Sequence, residues 1–156
     1  MNLELKTTYG FTLLEVIAVL IIIGLLAAVA VSRMGSGQGE LAKATGSLKS
    51  HLHFAQGIAM NSNRSWGISS TGSSYWLFSG DKDNKELLPG EEDKTITLSD
   101  PVSTGSFTVC FDEWGSPHDS VPPDNDTKIK NDMTITVNAG SDSDTIIITK
   151  ETGFIP

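Results

Sequence analysis

Hydrophobic and polar positions follow three successive patterns along the chain. From Phe11 to Val31 the sequence reads FTLLEVIAVLIIIGLLAAVAV, apolar except for Thr12, Glu15 and Gly24. Seventeen residues, Val16 to Ser32, carry no charge. As an α-helix Phe11–Val31 would be about 31 Å long, which matches the hydrocarbon core of a bilayer. From Glu40 the period changes. Leu41, Ala44, Leu48, Leu52, Ala55 and Ala59 recur at steps of three and four, with Lys43, Ser47, Lys49, Ser50 and Gln56 on other faces. This predicts an amphipathic helix to about Asn61, where Asn61-Ser62-Asn63 is a plausible stop. Between the two helices lies Gly35-Ser36-Gly37-Gln38-Gly39. Three glycines in five residues disfavour a rigid helix by about 1 kcal/mol each, so a joint is expected.

After Asn63 the pattern shortens to strands and turns. Trp66–Ile68, Ser74–Phe78, Thr95–Leu98, Thr108–Phe111, Met133–Val137 and Asp144–Thr149 are the expected strands. Gly, Asp, Asn, Pro and Ser fill the intervals. The clear alternation in the last two strands points to antiparallel sheets with one wet face. Without crossover helices, a parallel doubly wound sheet is not expected.

Composition adds two restrictions. Cys110 is the single cysteine among 156 residues, which rules out a disulfide scaffold. Charge is lopsided: residues 1–80 carry five Lys/Arg against three acids, and residues 81–156 six Lys against sixteen acids. The second part therefore has a net charge of −10, which repels phosphate backbones.

Three readings fit the apolar segment. It could be a plain signal peptide, with Lys6 in its n-region and Ala28-Val29-Ala30 as the cleavage site. It could be a signal anchor. Or the chain could be processed before the segment, between Gly10 and Phe11. Glu15 decides between them, because a charge deep in hydrocarbon costs roughly 2.5–3.5 kcal/mol. In a chain beginning at Phe11, Glu15 stands one helical turn from a free α-amino group. That cation is disfavoured by the helix dipole and would be neutralised by a carboxylate on the same chain or a neighbour.

Gly10-Phe11-Thr12-Leu13-Leu14-Glu15-Val16 resembles the class III signal of type IV pilins and type II secretion pseudopilins. The resemblance implies that a prepilin peptidase cuts after Gly10 and N-methylates Phe11, and that Glu15 serves assembly. Three later segments resemble the H-type pseudopilin and FimT-type branch. They are Leu52–Asn61, Phe111-Asp112-Glu113-Trp114-Gly115-Ser116-Pro117 and Ile146–Ile155 with its Thr152-Gly153. The resemblance implies an α+β, pilin-like fold: a long N-terminal transmembrane and amphipathic helix packed on a β domain of two antiparallel sheets. The expected parts are a leader at 1–10, an assembly helix at 11–32, a joint at 33–39, an amphipathic helix at 40–62 and a β domain at 63–156. The implied function is that of a structural minor pseudopilin, a single-pass inner-membrane protein with its domain in the periplasm. Its implied partners are other pseudopilins, the prepilin peptidase and membrane lipid. The alternative is a FimT-like minor pilin that binds DNA. That reading wants a basic cluster near the C-terminus, where Lys150 stands among acids, so no nucleic-acid partner is expected.

No catalytic constellation emerges, and the chain is not expected to be an enzyme or to need a cofactor or metal. Cys110 lies in an apolar strand and reads as a buried structural thiol. His118, next to Asp119, reads as a surface-loop residue. His51 and His53, two apart on a helix, read as surface or rim positions. Asp81-Lys82-Asp83-Asn84-Lys85-Glu86 begins like a calcium loop but lacks the central Gly and has Lys85 at a ligand position.

Overall fold

The apolar run does form a helix. In the computed structural model, which describes residues 12–34, 38–123 and 127–156, α1 spans Leu13–Met34. Thr12 caps it: the Glu15 backbone N–H donates to Thr12 Oγ1 at 3.2 Å, and Val16 N–H bonds the Thr12 carbonyl. Thr12 and Glu15 have the N-cap and N3 spacing of a capping box, of which the Thr12 bond is formed. α1 and residues 37–156 are separate compact units. The expected leader, Phe11 and residues 35–37 fall outside the described residues; of the joint expected at 33–39, Arg33 and Met34 end α1 and Gln38 and Gly39 begin α2.

α2 spans Gln38–Asn61, starting two residues earlier than the periodicity suggests. Glu40 in its first turn favours the positive end of the helix dipole. Its stripe of Leu41, Thr45, Leu48, His51, Leu52, Ala55 and Ala59 is buried. The strands that follow are β1 Trp66–Ser70, β2 Ser74–Ser79, β3 Asp81–Glu86, β4 Ile96–Thr97, β5 Val102–Thr104, β6 Phe107–Phe111, β7 Pro117–His118, β8 Met133–Ala139 and β9 Asp142–Ile148. They make two antiparallel sheets. The first runs β3-β2-β1-β6-β7, with β4 also on β2; the second runs β5-β8-β9. The α+β fold, a helix on two antiparallel sheets, is thus the one expected from the sequence.

One core joins them. Leu48, Leu52 and Ala55 of α2 cluster with Ile68, Leu77, Val109 and Phe111 of the first sheet and with Val137, Ile146 and Ile148 of the second. In the first sheet Ile68 faces Leu77 and Val109 across the strands, and this row turns to α2. The next row along, Phe78, Gly67, Cys110 and His118, points to the opposite face and is also buried. A further row on that opposite face, Trp76, Ser69 and Thr108, follows from the same register.

Candidate functional site

α1 presents an apolar surface on every side. Eleven large apolar side chains from Leu13 to Leu26 are 48–78% exposed. A helix that is apolar all round needs lipid or other helices to cover it. Its one acid, Glu15, sits in the first turn, where the dipole favours a carboxylate. Among the described residues, no helix is long and apolar enough to cross a membrane. The described side chains of α1 end at Val29, whereas the span expected from the sequence runs from Phe11 to Val31.

Residues 5–31 match the family model of the prokaryotic N-terminal methylation motif. This match supports a type IV pilin-like protein. The methylation motif implies processing by a prepilin peptidase and assembly with other pilins. It covers the second half of the expected leader, the Gly10–Phe11 junction, Glu15 and the apolar run. No curated protein and no solved structure gives a significant match to this chain.

Elsewhere the structure moves several residues from their expected settings. His118 is not a surface-loop residue. It is 4% exposed, and its partner is not the adjacent Asp119 but Asp112, whose Oδ2 lies 3.1 Å from Nε2. The short β6–β7 turn folds position 118 back across position 110, within reach of Asp112. Thr127 Oγ1 lies 3.2 Å from His118 Nδ1. Carboxylate, imidazole and hydroxyl in that order are the parts of a nucleophilic triad. Here the turn's N–H groups are directed inward instead: those of Trp114 and Ser116 both donate to Asp112 Oδ1, at 2.9 and 2.8 Å. Donors spent on the carboxylate do not form an oxyanion hole, so the group braces the turn.

His51 is also buried rather than at the rim, whereas His53 is exposed. His51 Nδ1 meets the Tyr75 hydroxyl at 3.0 Å, and Nε2 lies 3.9 Å from Glu91 Oε1. Burial holds the His51 pKa below its ordinary 6.5, against a smaller upward pull from Glu91. A base whose folded pKa is depressed leaves the proton to the unfolded chain first. Stability is therefore complete above about pH 6.5 and falls as pH drops toward the lower folded value. Thermal unfolding should show a loss between pH 7 and pH 5 that is smaller in His51→Gln; equal slopes in the two proteins would contradict this.

Cys110 is the buried structural thiol expected, fully enclosed, with burial pushing its pKa up to about 11. The Asp81–Glu86 segment is a strand, β3, rather than a loop. Among the described residues no three metal-ligating side chains converge.

Sequence reading missed the role of Gln56. Its Nε2 donates to the Gly115 carbonyl at 3.0 Å and to the Thr152 carbonyl at 2.9 Å. Gly115 and Gly153 both have positive φ, and a Cβ on Gly153 would stand 2.5 Å from the Gly115 oxygen and 2.7 Å from Gln56 Nε2. The α2 segment, the Asp112–Ser116 turn and the C-terminal Thr-Gly turn are thereby fastened at one point.

Proposed function

We propose that this chain is a minor pseudopilin of a type II secretion system, of the H type. The observation that carries the reading is the methylation motif leading into an all-round apolar helix, followed by a helix on two antiparallel sheets. The Gln56 clamp supports the branch assignment. The three segments that resemble the H and FimT branch are separated in sequence, yet they meet at this one point. Glycines at 115 and 153 and an amide at 56 then form one structural requirement rather than three independent coincidences. On this reading the chain is held in the inner membrane by one span. Its domain stands in the periplasm and joins other pseudopilins in the pseudopilus that supports protein export. Glu15 answers the N-terminal amine of Phe11, its own or a neighbour's.

Processing provides the direct test. Cleavage between Gly10 and Phe11 with N-methylation of Phe11 is expected from intact mass and N-terminal sequencing of membrane-derived protein. A mature start at Val31 would sink the pseudopilin reading.

Secretion is favoured over DNA uptake by charge. Residues after Gly39 hold seventeen acids and nine Lys/Arg, a net of −8. Beyond Lys94 the basic residues are Lys128, Lys130 and Lys150, and the backbone N–H of Lys150 is bound to the carboxylate of Asp132 at 3.0 Å. A nonspecific DNA site neutralises several phosphates. No measurable DNA binding is expected in a fluorescence-anisotropy titration at physiological salt. Micromolar binding that vanishes in Lys128→Ala, Lys130→Ala or Lys150→Ala would favour the FimT-like pilin.

A further inference from the structure

The outer face of the first sheet is divided. One row of positions, Phe78, Gly67, Cys110 and His118, is buried there, with the Phe78 and Cys110 side chains fully enclosed. In the parallel row two residues along each strand Trp76 and Thr108 are half-buried and Ser69 between them is buried, and this row floors a shallow groove of about 680 Å³, within the size range of small-ligand sites. Cross-strand partners share a face, so the register sets Trp76, Ser69 and Thr108 side by side on β2, β1 and β6. Ser69 Oγ and Thr108 Oγ1 are 3.0 Å apart. Sheet order then places Lys82 of β3 beyond Trp76 at one edge and Asp119, just after β7, beyond Thr108 at the other. A cation, an indole, two hydroxyls and a carboxylate thus follow one another across the strands.

The indole is fixed in place. Trp76 Nε1 donates to the Lys82 carbonyl at 2.9 Å, and Lys85 Nζ lies 4.3 Å from the ring centroid. Lys85 pairs with Phe78 and so stands on the same face of the sheet as Trp76, with its ammonium over the ring. A ring held at two points loses little freedom when a ligand packs on it.

From this geometry we infer that the groove binds a neutral oligosaccharide of two or three sugar rings. The C–H face of a pyranose is apolar and packs on an indole, while its hydroxyls both donate and accept. Ser69, Thr71, Ser106 and Thr108 bring hydroxyls to the lining, which have the same dual capacity, whereas Ser70 shares the inner face of Phe107 and is bonded there to Thr104. Lys82 and Asp119 offer one charged donor and one charged acceptor, with no net charge between them. A nucleic acid is disfavoured, because one lysine opposed by an aspartate in an acidic domain cannot neutralise a phosphate run. An apolar protein anchor is disfavoured too. No aliphatic side chain lines the groove, and Phe107, placed by its pairing on the opposite face, packs against the core.

The test uses the full chain in a detergent without a sugar headgroup. Tryptophan emission and calorimetry are followed during titration with chitotriose, cellotriose and maltotriose. At least one should bind saturably, with Kd on the order of 1 mM. Trp76→Ala should weaken it at least about tenfold, the loss of one stacking contact. Trp76→Phe should retain most of the affinity, and Trp114→Ala, away from the groove, all of it. Thr108→Val, which keeps the side-chain shape, guards against a Trp76→Ala protein that fails to fold and should weaken binding as well. Absence of a saturable response to all three sugars would overturn the assignment. So would binding that survives both Trp76→Ala and Thr108→Val, or a Trp76-dependent response to oligothymidylate or a lysine-rich peptide in place of the sugars.

Discussion

Gly67→Ala is expected to destabilise the domain by about 3 kcal/mol or more, beyond the usual range for one extra methyl group in a packed core. A Cβ at position 67 would run into the Val109 carbonyl oxygen, 2.5 Å from Phe78 Cζ and 2.9 Å from Cys110 Cα. Two of these three obstacles are backbone atoms of β6. β1 is the central strand, paired along its whole length to β2 on one side and β6 on the other, so it cannot retreat without breaking a ladder. The third obstacle is the Phe78 ring, which is fully buried and lies across the glycine. Domains of this size are stable by only about 5–15 kcal/mol, so the variant should lose a large part of its stability. Gly57→Ala is the matching control. Gly57 lies within α2 with nothing within 4 Å of an added Cβ, and alanine there should gain about 0.5–1 kcal/mol. Denaturant midpoints for the two variants should move in opposite directions; a Gly67→Ala midpoint at or above the parent's would contradict the packing described.

The glycine's importance was invisible in the sequence because it depends on a partner eleven residues away. Phe78 reads as one more apolar residue of a strand; only the β1–β2 register brings its ring over position 67. The helices were more legible. The steps that placed Leu48, Leu52 and Ala55 on one stripe come from the helical period alone. The same period placed His51, three after Leu48 and four before Ala55, on that stripe. Its two-residue spacing from His53 suggests a rim position, but the pairing of the stripe with the core decides for burial. β3 had no apolar alternation to reveal it. Asp81–Glu86 is an edge strand held by backbone pairing to β2, past an irregularity at Phe78/Ser79, with most of its side chains exposed. His118 reads as a surface-loop residue in sequence, and only the tight β6–β7 turn brings it inward to Asp112. In the first turn of α1 the signal was present and overlooked. Thr12-Leu13-Leu14-Glu15 before an apolar run is a capping-box pattern, and the Glu15 N–H is indeed bound to the Thr12 hydroxyl.

That cap gives Glu15 two possible uses, and substitution separates them. As the N3 residue of a capping box it would stabilise the first turn of α1, an effect of about 0.5–2 kcal/mol at most. As the counter-ion of a methylated N-terminal amine it would act on assembly through its charge. Glu15→Gln keeps the length, the helix propensity and the capping ability of the side chain while removing the charge. Glu15→Ala removes all but the propensity. Neither should hinder membrane insertion, since loss of a charge from an apolar helix makes insertion easier. If charge is the property used, both variants should reach the membrane at parental levels and both should be largely lost from complexes with other pseudopilins, with secretion reduced in step. Membrane fractionation, pull-down with the other pseudopilins and a secretion assay read these three steps separately. Full assembly of Glu15→Gln beside a failing Glu15→Ala would assign the residue to the cap. Unchanged assembly and secretion in both would remove Glu15 from the mechanism altogether.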